Sequence, residues 1–428
     1  MSRRMAWMLQ KRPHGDTAGS RPFTTGEPRH PQRGDCPYLT KPGDTMDKKA
    51  TGISAKQRRL AATATVLALA SGAAAAADAS SVQIFGIIDA GVLTQSKSAA
   101  GGRLTRLETS GLRQSVWGLK GTEDLGGGLK AFFNLESHFD TDTGGLHGTG
   151  DNGTPAVGTV LFRRQANVGL SGDWGTLILG RQYGPALLAH IGTEPRAFKE
   201  QFSNLYAWAY NQLEPIAGAG SVNSNNDVGI FFKNSIHYRN TFGPVTAGVL
   251  YSLGEQAGST SNNSILAVGL SYSGPVTLSF SHEFMKDQIT GEKVVKHTGV
   301  GAAVPFGDFT FKANFLRGEN NNADGTTSSK VNGLGVGVDW KWHPMNNATV
   351  AYYDNKDKEN KSNHTKNLVL SNDYFISKRT TIYAQAAFVD ADAGATGAAA
   401  LKTSIVADGS FKPDAKTTFI NVGINHNF

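Results

Sequence analysis

After residue 78 the chain alternates apolar and polar residues with a period of two. Val276, Leu278, Phe280 and Phe284 alternate with Thr277, Ser279, Ser281 and Glu283. Phe309, Phe311, Ala313 and Phe315 alternate with Thr310, Lys312 and Asn314. Leu334, Val336, Val338, Trp340 and Trp342 alternate with Gly333, Gly335, Gly337, Asp339 and Lys341. Such a period puts one set of side chains on each face of a β-strand. The segments run to about 9–13 residues, longer than the roughly 5–6 of soluble strands. Tilted strands of roughly 9–11 residues are what a bilayer requires.

Sixteen segments carry the pattern: near 81–94, 112–120, 129–139, 159–170, 175–182, 228–239, 244–253, 264–273, 275–285, 294–305, 308–317, 331–342, 347–355, 365–376, 380–390 and 416–428. Short connections (Gly121–Gly128, Ser171–Gly175, Asn240–Pro244, Ser273–Pro275, Phe306–Asp308, His343–Asn347, Ser377–Thr380) alternate with long polar ones such as 318–330 and 356–364. An even strand number with short turns at one end and long loops at the other predicts an all-β fold, a 16-stranded antiparallel transmembrane β-barrel. Closure is forced, because an unpaired backbone group in hydrocarbon costs several kcal/mol. Sixteen strands leave a water-filled interior, which the polar inner face suits. A soluble propeller would repeat a motif every 40–50 residues or so, and a sandwich would need an apolar inner face.

The front of the chain reads differently. Met46 is followed by Lys48, Lys49, Lys56, Arg58 and Arg59, then by an apolar run from Leu60 to Ala70, then by small residues to Ala77. This is the layout of a secretory signal over 46–77. The run is too short for a transmembrane helix and lacks a basic stop-transfer cluster after it. Residues 1–45 are Arg-, Pro- and Gly-rich without periodicity. They read as upstream extension, with Met46 as the start and 78–428 as the barrel. Mature protein is expected to begin close to Asp78; N-terminal sequencing of outer-membrane material checks this, and retention of Leu60–Ala70 would contradict it.

Residues 1–77 hold 13 of the 42 Lys and Arg residues and 5 of the 35 Asp and Glu residues, which leaves 29 basic and 30 acidic residues. The basic character therefore belongs to the leader and does not argue for nucleic-acid binding. Cys36, the single cysteine, lies there too, so the barrel has neither disulfide nor thiol chemistry. Histidines are scattered, and no zinc-protease motif is present. Gly269–Ser273 lacks the last glycine of a nucleophile elbow, and Gly126–Gly128 precedes a strand, so it is a turn and not a phosphate loop. No catalytic role and no cofactor are expected.

Several stretches resemble the general porins of β-proteobacteria. They are Ser81–Gly91, Trp117–Leu129, Arg164–Leu170 with Gly175–Leu177 and Leu179–Tyr183, and the closing Val422–Phe428. The resemblance spans the whole chain after the leader. It implies a homotrimer in the outer membrane, with both termini periplasmic and with lipid and lipopolysaccharide around it. Ions and small hydrophilic solutes would diffuse passively through it.

Ile420, Val422, Ile424, His426 and Phe428 share one parity, the expected lipid face. The resemblance implies that Phe428 signals to the barrel-assembly machinery. It also implies that the third long loop, Gly184 to about Asp227, folds into the lumen and narrows the pore. There its acids Glu194, Glu200 and Glu214 would face wall bases Lys120, Arg164 and Arg181, with Lys233 and Arg163 as further candidates. Charges at a narrow section give a wide pore its selectivity. Bases on rigid strands hold position better than acids on a loop, so a mild preference for anions is expected. Val116 and Phe231 stand where relatives often carry arginine, so the charge layout differs from theirs. Two other readings carry features of their own. A substrate-specific channel would use the loop aromatics Phe198, Phe202, Tyr206, Trp208 and Tyr210; an adhesin would need larger extracellular inserts than this chain has.

Overall fold

The computed structural model of the chain describes residues 81–98, 101–147, 160–204, 223–227, 229–322, 324–392 and 415–428. They form one antiparallel sheet that closes on itself. Its strands are β1 (Ser81–Gln95), β2 (Leu104–Thr109), β3 (Val116–Gly126), β4 (Leu129–His138), β5 (Gln165–Gly172), β6 (Gly175–Tyr183), β7 (Asn226–Asp227), β8 (Phe231–Phe242) and β9 (Val245–Ser252). The series continues with β10 (Ile265–Ser273), β11 (Thr277–Lys286), β12 (Lys293–Phe306), β13 (Phe309–Asn321), β14 (Thr327–His343), β15 (Asn346–Asp357), β16 (His364–Phe375), β17 (Thr380–Ala391) and β18 (Ala415–Asn427). β2 and β3 both pair with β1 and form the two halves of one stave, and β7 is a two-residue return of the third loop. That leaves the sixteen staves expected, and β1 pairs with β18 to close the ring.

The second stave departs from the expected strand over 112–120. It is broken between Thr109 and Val116, with Ser110 at φ 62°. The cause is Asp89 on β1, which is fully buried. Its carboxylate accepts from the backbone N–H groups of Gly111, Leu112 and Arg113 at 2.8, 3.1 and 3.2 Å. It also accepts from the Tyr383 hydroxyl at 2.8 Å and from Asn425 Nδ2 at 2.9 Å. One carboxylate thus ties the broken stave to β17 and β18 across the closure. Charge-assisted bonds of this kind are about twice as strong as neutral ones.

The lipid face follows the alternation. Ile420, Val422 and Ile424 are about half exposed while Asn421 and Asn425, of the opposite parity, are buried. Apolar residues meet across strands, as in Val350 with Leu370 and Tyr352 with Leu368, the cross-strand contacts that stabilise a sheet. Next to the short turns the outer face is aromatic: Phe309 stacks on Trp340 at 5.8 Å, and the Trp342 indole N–H donates to Asn372 Oδ1 at 3.0 Å. Such a band suits the membrane interface.

The third loop begins with a short helix, α1 (Pro185–His190), and lies against the inner wall. Glycines on that wall make room for it. A Cβ at Gly248 would come within 2.9 Å of Pro185 Cβ, and one at Gly337 within 2.9 Å of Pro195 Cβ. At Gly269 it would run into the Pro185 carbonyl, and at Gly299 into the His190 ring. The inner-face glycines are a seat for the loop. Gly269→Val is therefore expected to lift the loop from the wall and raise unitary conductance in planar bilayers. A folded variant with unchanged conductance would show that the loop does not limit flow.

Candidate functional site

Beyond α1 the loop continues along the inner wall as far as β18. His190 Nδ1 and Nε2 lie 2.7 and 2.8 Å from the hydroxyls of Ser279 and Ser281 on β11. Lys199 Nζ is 2.6 Å from Asp373 on β16. Arg196, fully buried, donates to Gln385 on β17 and to the Gln201 carbonyl. Asn421 Nδ2 on β18 donates to Gln201 Oε1 at 2.5 Å. Ala197, Phe198 and Phe202 have φ of 54°, 50° and 63°, a strained conformation for residues with a Cβ. These anchors hold the loop in it.

The expected loop acids part company. Glu194 is fully buried, so it does not present its charge to the pore as expected. Its carboxylate accepts from the N–H groups of Arg196, Phe198 and Asn204 at 2.8, 2.6 and 3.3 Å, and from the Tyr353 hydroxyl at 2.6 Å. With those bonds it shapes the loop and pins it to β15. Glu200 is half-buried, with its N–H bonded to the Leu112 carbonyl at 3.1 Å. Burial pushes its carboxyl up to about 7, and among neighbouring charges Arg164 opposes this most. Glu214 lies outside the described residues. Among the aromatics, Phe202 is buried against Leu93, Val369 and Phe419, with a tilted ring contact to Phe419 at 5.4 Å. Phe198 is buried as well. Both are anchors and do not form a lumen track, while Tyr206, Trp208 and Tyr210 lie outside the described residues.

Of the wall bases, Lys120 lies on β3, Arg163 and Arg164 just before β5, Arg181 on β6 and Lys233 on β8. Arg164 donates to Glu136 and to the Tyr183 hydroxyl, with its guanidinium 5.3 Å from the ring centroids of Tyr183 and Phe231. Arg163 and Arg181 share a single carboxylate: Arg163 reaches Asp227 at 2.8 and 2.9 Å, and Arg181 pairs with the same side chain. Two cations thus meet on one buried anion. Lys120 is exposed, 5.0 Å from the centroid of Phe85. Lys233 stands near the start of β8, beside left-handed Asn234, with its N–H bonded to the Asn225 carbonyl at 2.9 Å. A lumen recess of about 380 Å³ is lined by Lys120, Arg239, His237, Gln83, Asn134, Asn167 and Gln182, among others, and none of the described residues that line it is acidic.

Asp227, Arg239, Arg196 and Lys199 were not among the expected site residues. Arg239 alone had a local signal, since it shares the inner parity of Ser235 and His237 on a strand whose Ile236 and Tyr238 face outward. The others lie on the third loop, where no periodicity marks direction.

Residues 62–394 match the family model described as Gram-negative porin. The chain is 30% identical over 379 residues to outer membrane porin protein 32 of Delftia acidovorans, covering 85% of this chain and 98% of that one. It is 26% identical to an outer membrane porin of Bordetella pertussis, over 73% and 82% of the two chains. The anion-selective porin from Comamonas acidovorans has a similar structure, with a TM-score of 0.68 and 26% identity, over 82% of this chain and all of that one. A closed sixteen-stave barrel with a lipid-facing outer surface, a polar lumen and these relatives has one reading: the chain belongs to the Gram-negative porin family and forms a diffusion channel in the outer membrane.

Proposed function

We propose that the channel favours anions and that its selectivity is set on the wall from β3 to β8. The observation that carries this is the lumen recess holding Lys120 and Arg239, with no carboxylate among the described residues that line it. The pair of arginines on Asp227 adds to it. The resemblance to an anion-selective porin points the same way. Lys120, Arg164, Arg181, Arg163 and Arg239 form the positive side, and Glu200 is the loop acid that opposes them. Glu194 acts as an anchor. The reversal potential of the wild-type channel under a salt gradient tests this; a cation-preferring potential would overturn it.

Glu200 makes the preference depend on pH. Its carboxyl titrates near 7 in the folded protein against an ordinary value of 4.5. The folded state therefore holds a proton that the unfolded chain releases. The contribution to stability is full below about 4.5 and is lost as pH rises through about 7. For permeation the sign is the reverse of a gain in negative charge. Going from about pH 8 to about pH 6 removes an anion beside Arg164, so anion preference rises. Glu200→Gln is expected to flatten that pH profile, and an unaltered profile would place the titration elsewhere.

The protomers assemble as a homotrimer, with both termini on the periplasmic side, the signal over 46–77 removed, and Phe428 read by the barrel-assembly machinery. The aromatic outer band and the apolar parity of β18 support this reading.

A further inference from the structure

Where β4 runs out into the second long loop, three metal-ligating side chains meet. His138, the last residue of β4, is 3% exposed. Its ring stacks on that of His147, with centroids 4.0 Å apart and planes at 27°. His147 Nδ1 lies 2.5 Å from Asp140 Oδ1. One ligand atom from each of the three residues lies within 4.8 Å of the others. The second observation is His138 Nε2, which is buried and has no hydrogen-bond partner. A buried imidazole nitrogen without a partner is unusual in a folded protein.

The backbone holds these side chains together without help from a ligand. His147 N–H donates to the His138 carbonyl at 2.9 Å, and Phe139 bridges Leu146. Asp140 N–H donates to the Gly145 carbonyl at 2.9 Å, and Gly144 N–H returns to the Asp140 carbonyl at 2.8 Å, with Gly144 at φ 74°. The loop is thus a small hairpin whose opposing positions carry the two histidines. Arg163 Nη1 donates to the His147 carbonyl at 3.2 Å and ties the hairpin to the charged wall.

Two imidazole nitrogens and one carboxylate oxygen are a donor set for Zn²⁺ and its neighbours in the first transition row; Mg²⁺ and Ca²⁺ prefer oxygen alone. Three protein ligands leave a fourth position for water. Asp140 and His147 are half-exposed, so an ion can enter from the loop side. Arg163 and Arg164 stand near and oppose a cation, and their pairing with Asp227 and Glu136 offsets part of that repulsion. With metal–nitrogen bonds of roughly 2.0–2.1 Å, coordination would draw the His138 nitrogen in and spread the His147–Asp140 contact.

We propose that His138, Asp140 and His147 form a Zn²⁺ site on the channel wall beside Arg163 and Arg164. A bound ion adds positive charge to that wall.

The folded channel, stripped with chelator and titrated with ZnCl₂ in calorimetry and in equilibrium dialysis with metal analysis, is expected to bind one Zn²⁺ per chain. Millimolar MgCl₂ or CaCl₂ is expected not to displace it. Because His138 is buried and its replacement could prevent folding, the variants are His147→Ala and Asp140→Asn, both on the loop, each checked for the slow gel migration of folded barrel. Each is expected to weaken binding by at least about tenfold, by comparison with the loss on removing supporting groups at metal sites. In planar bilayers Zn²⁺ is expected to shift the wild-type reversal potential toward anions and to leave that of His147→Ala unchanged. Failure of the wild type to bind one equivalent would overturn the site and leave a stacked histidine pair only. Unweakened binding in folded His147→Ala would likewise overturn it, by placing the metal on other residues.

Discussion

Arg164→Glu is expected to move the anion-to-cation permeability ratio toward cations by about tenfold at physiological salt. The exchange changes the wall by two charges. At about 6 Å in water one unit charge acts on a monovalent ion with about 0.7 kcal/mol, so two change each ion's energy by about 1.4 kcal/mol. Anions lose that amount and cations gain it, which makes about 2.8 kcal/mol in the ratio before screening. A Debye length of about 8 Å roughly halves it, and about 1.4 kcal/mol is a factor of ten. Glu136, which pairs with Arg164, would be left without that partner and would add in the same direction. Arg164→Gln provides the control for repulsion between the two carboxylates: it is expected to give about half the shift. Reversal potentials under a salt gradient measure both. If neither variant departs from wild type, Arg164 does not face the ions.

Deleting Phe428 is expected to lower the yield of folded, heat-modifiable porin by about tenfold or more, with unfolded chain accumulating in the periplasm. The residue has two roles that can be separated. Its backbone completes the closure: Phe428 N–H donates to the Gly86 carbonyl at 3.0 Å, and Gly86 N–H to the Phe428 carbonyl at 3.1 Å. The deletion removes both bonds at the join between first and last strands, where the membrane makes unpaired backbone groups most costly. The ring lies over Gly86, so closely that a Cβ there would collide with it. Phe428→Ala keeps the backbone bonds and removes the ring. If the ring is what the assembly machinery reads, Phe428→Ala should fold normally into lipid from denaturant and poorly in cells. Equal loss in both settings would make the residue a structural closure and nothing more. Normal cellular yields from the deletion would sink both roles.

Much of the barrel was legible along the chain because lipid acts on each residue locally. A side chain that faces hydrocarbon must be apolar whatever its distant neighbours are. Ile420, Val422 and Ile424, or Leu368 and Leu370, could therefore be assigned to a face from alternation alone, and all are exposed on the outer surface. The seven short turns fall where glycine, proline and polar residues interrupt that alternation, although the first stands closer to Gly127 and Gly128 than expected, since β3 runs on to Gly126. The break in the second stave had no such mark. It depends on Asp89 collecting the amides of residues 22 to 24 positions away.

Charge placement was decided by the tertiary structure. Glu194 and Glu200 look alike in sequence, yet Glu194 is consumed by Tyr353, 159 residues further on, while Glu200 stays within reach of Arg164. Arg163 and Arg181 read as two wall cations until Asp227 returns on the third loop to pair with both. The inner-face glycines were visible as small residues opposite apolar ones, but their use as a seat for α1 appears only once the loop is folded back. The sequence alone determined a closed barrel, its two faces and its turns, because those follow from a period set by the bilayer. Which charges meet ions and which are spent holding the loop follows from contacts between staves and loop such as Arg181 with Asp227, 46 residues apart, and Tyr353 with Glu194, 159 apart, and no local period encodes them.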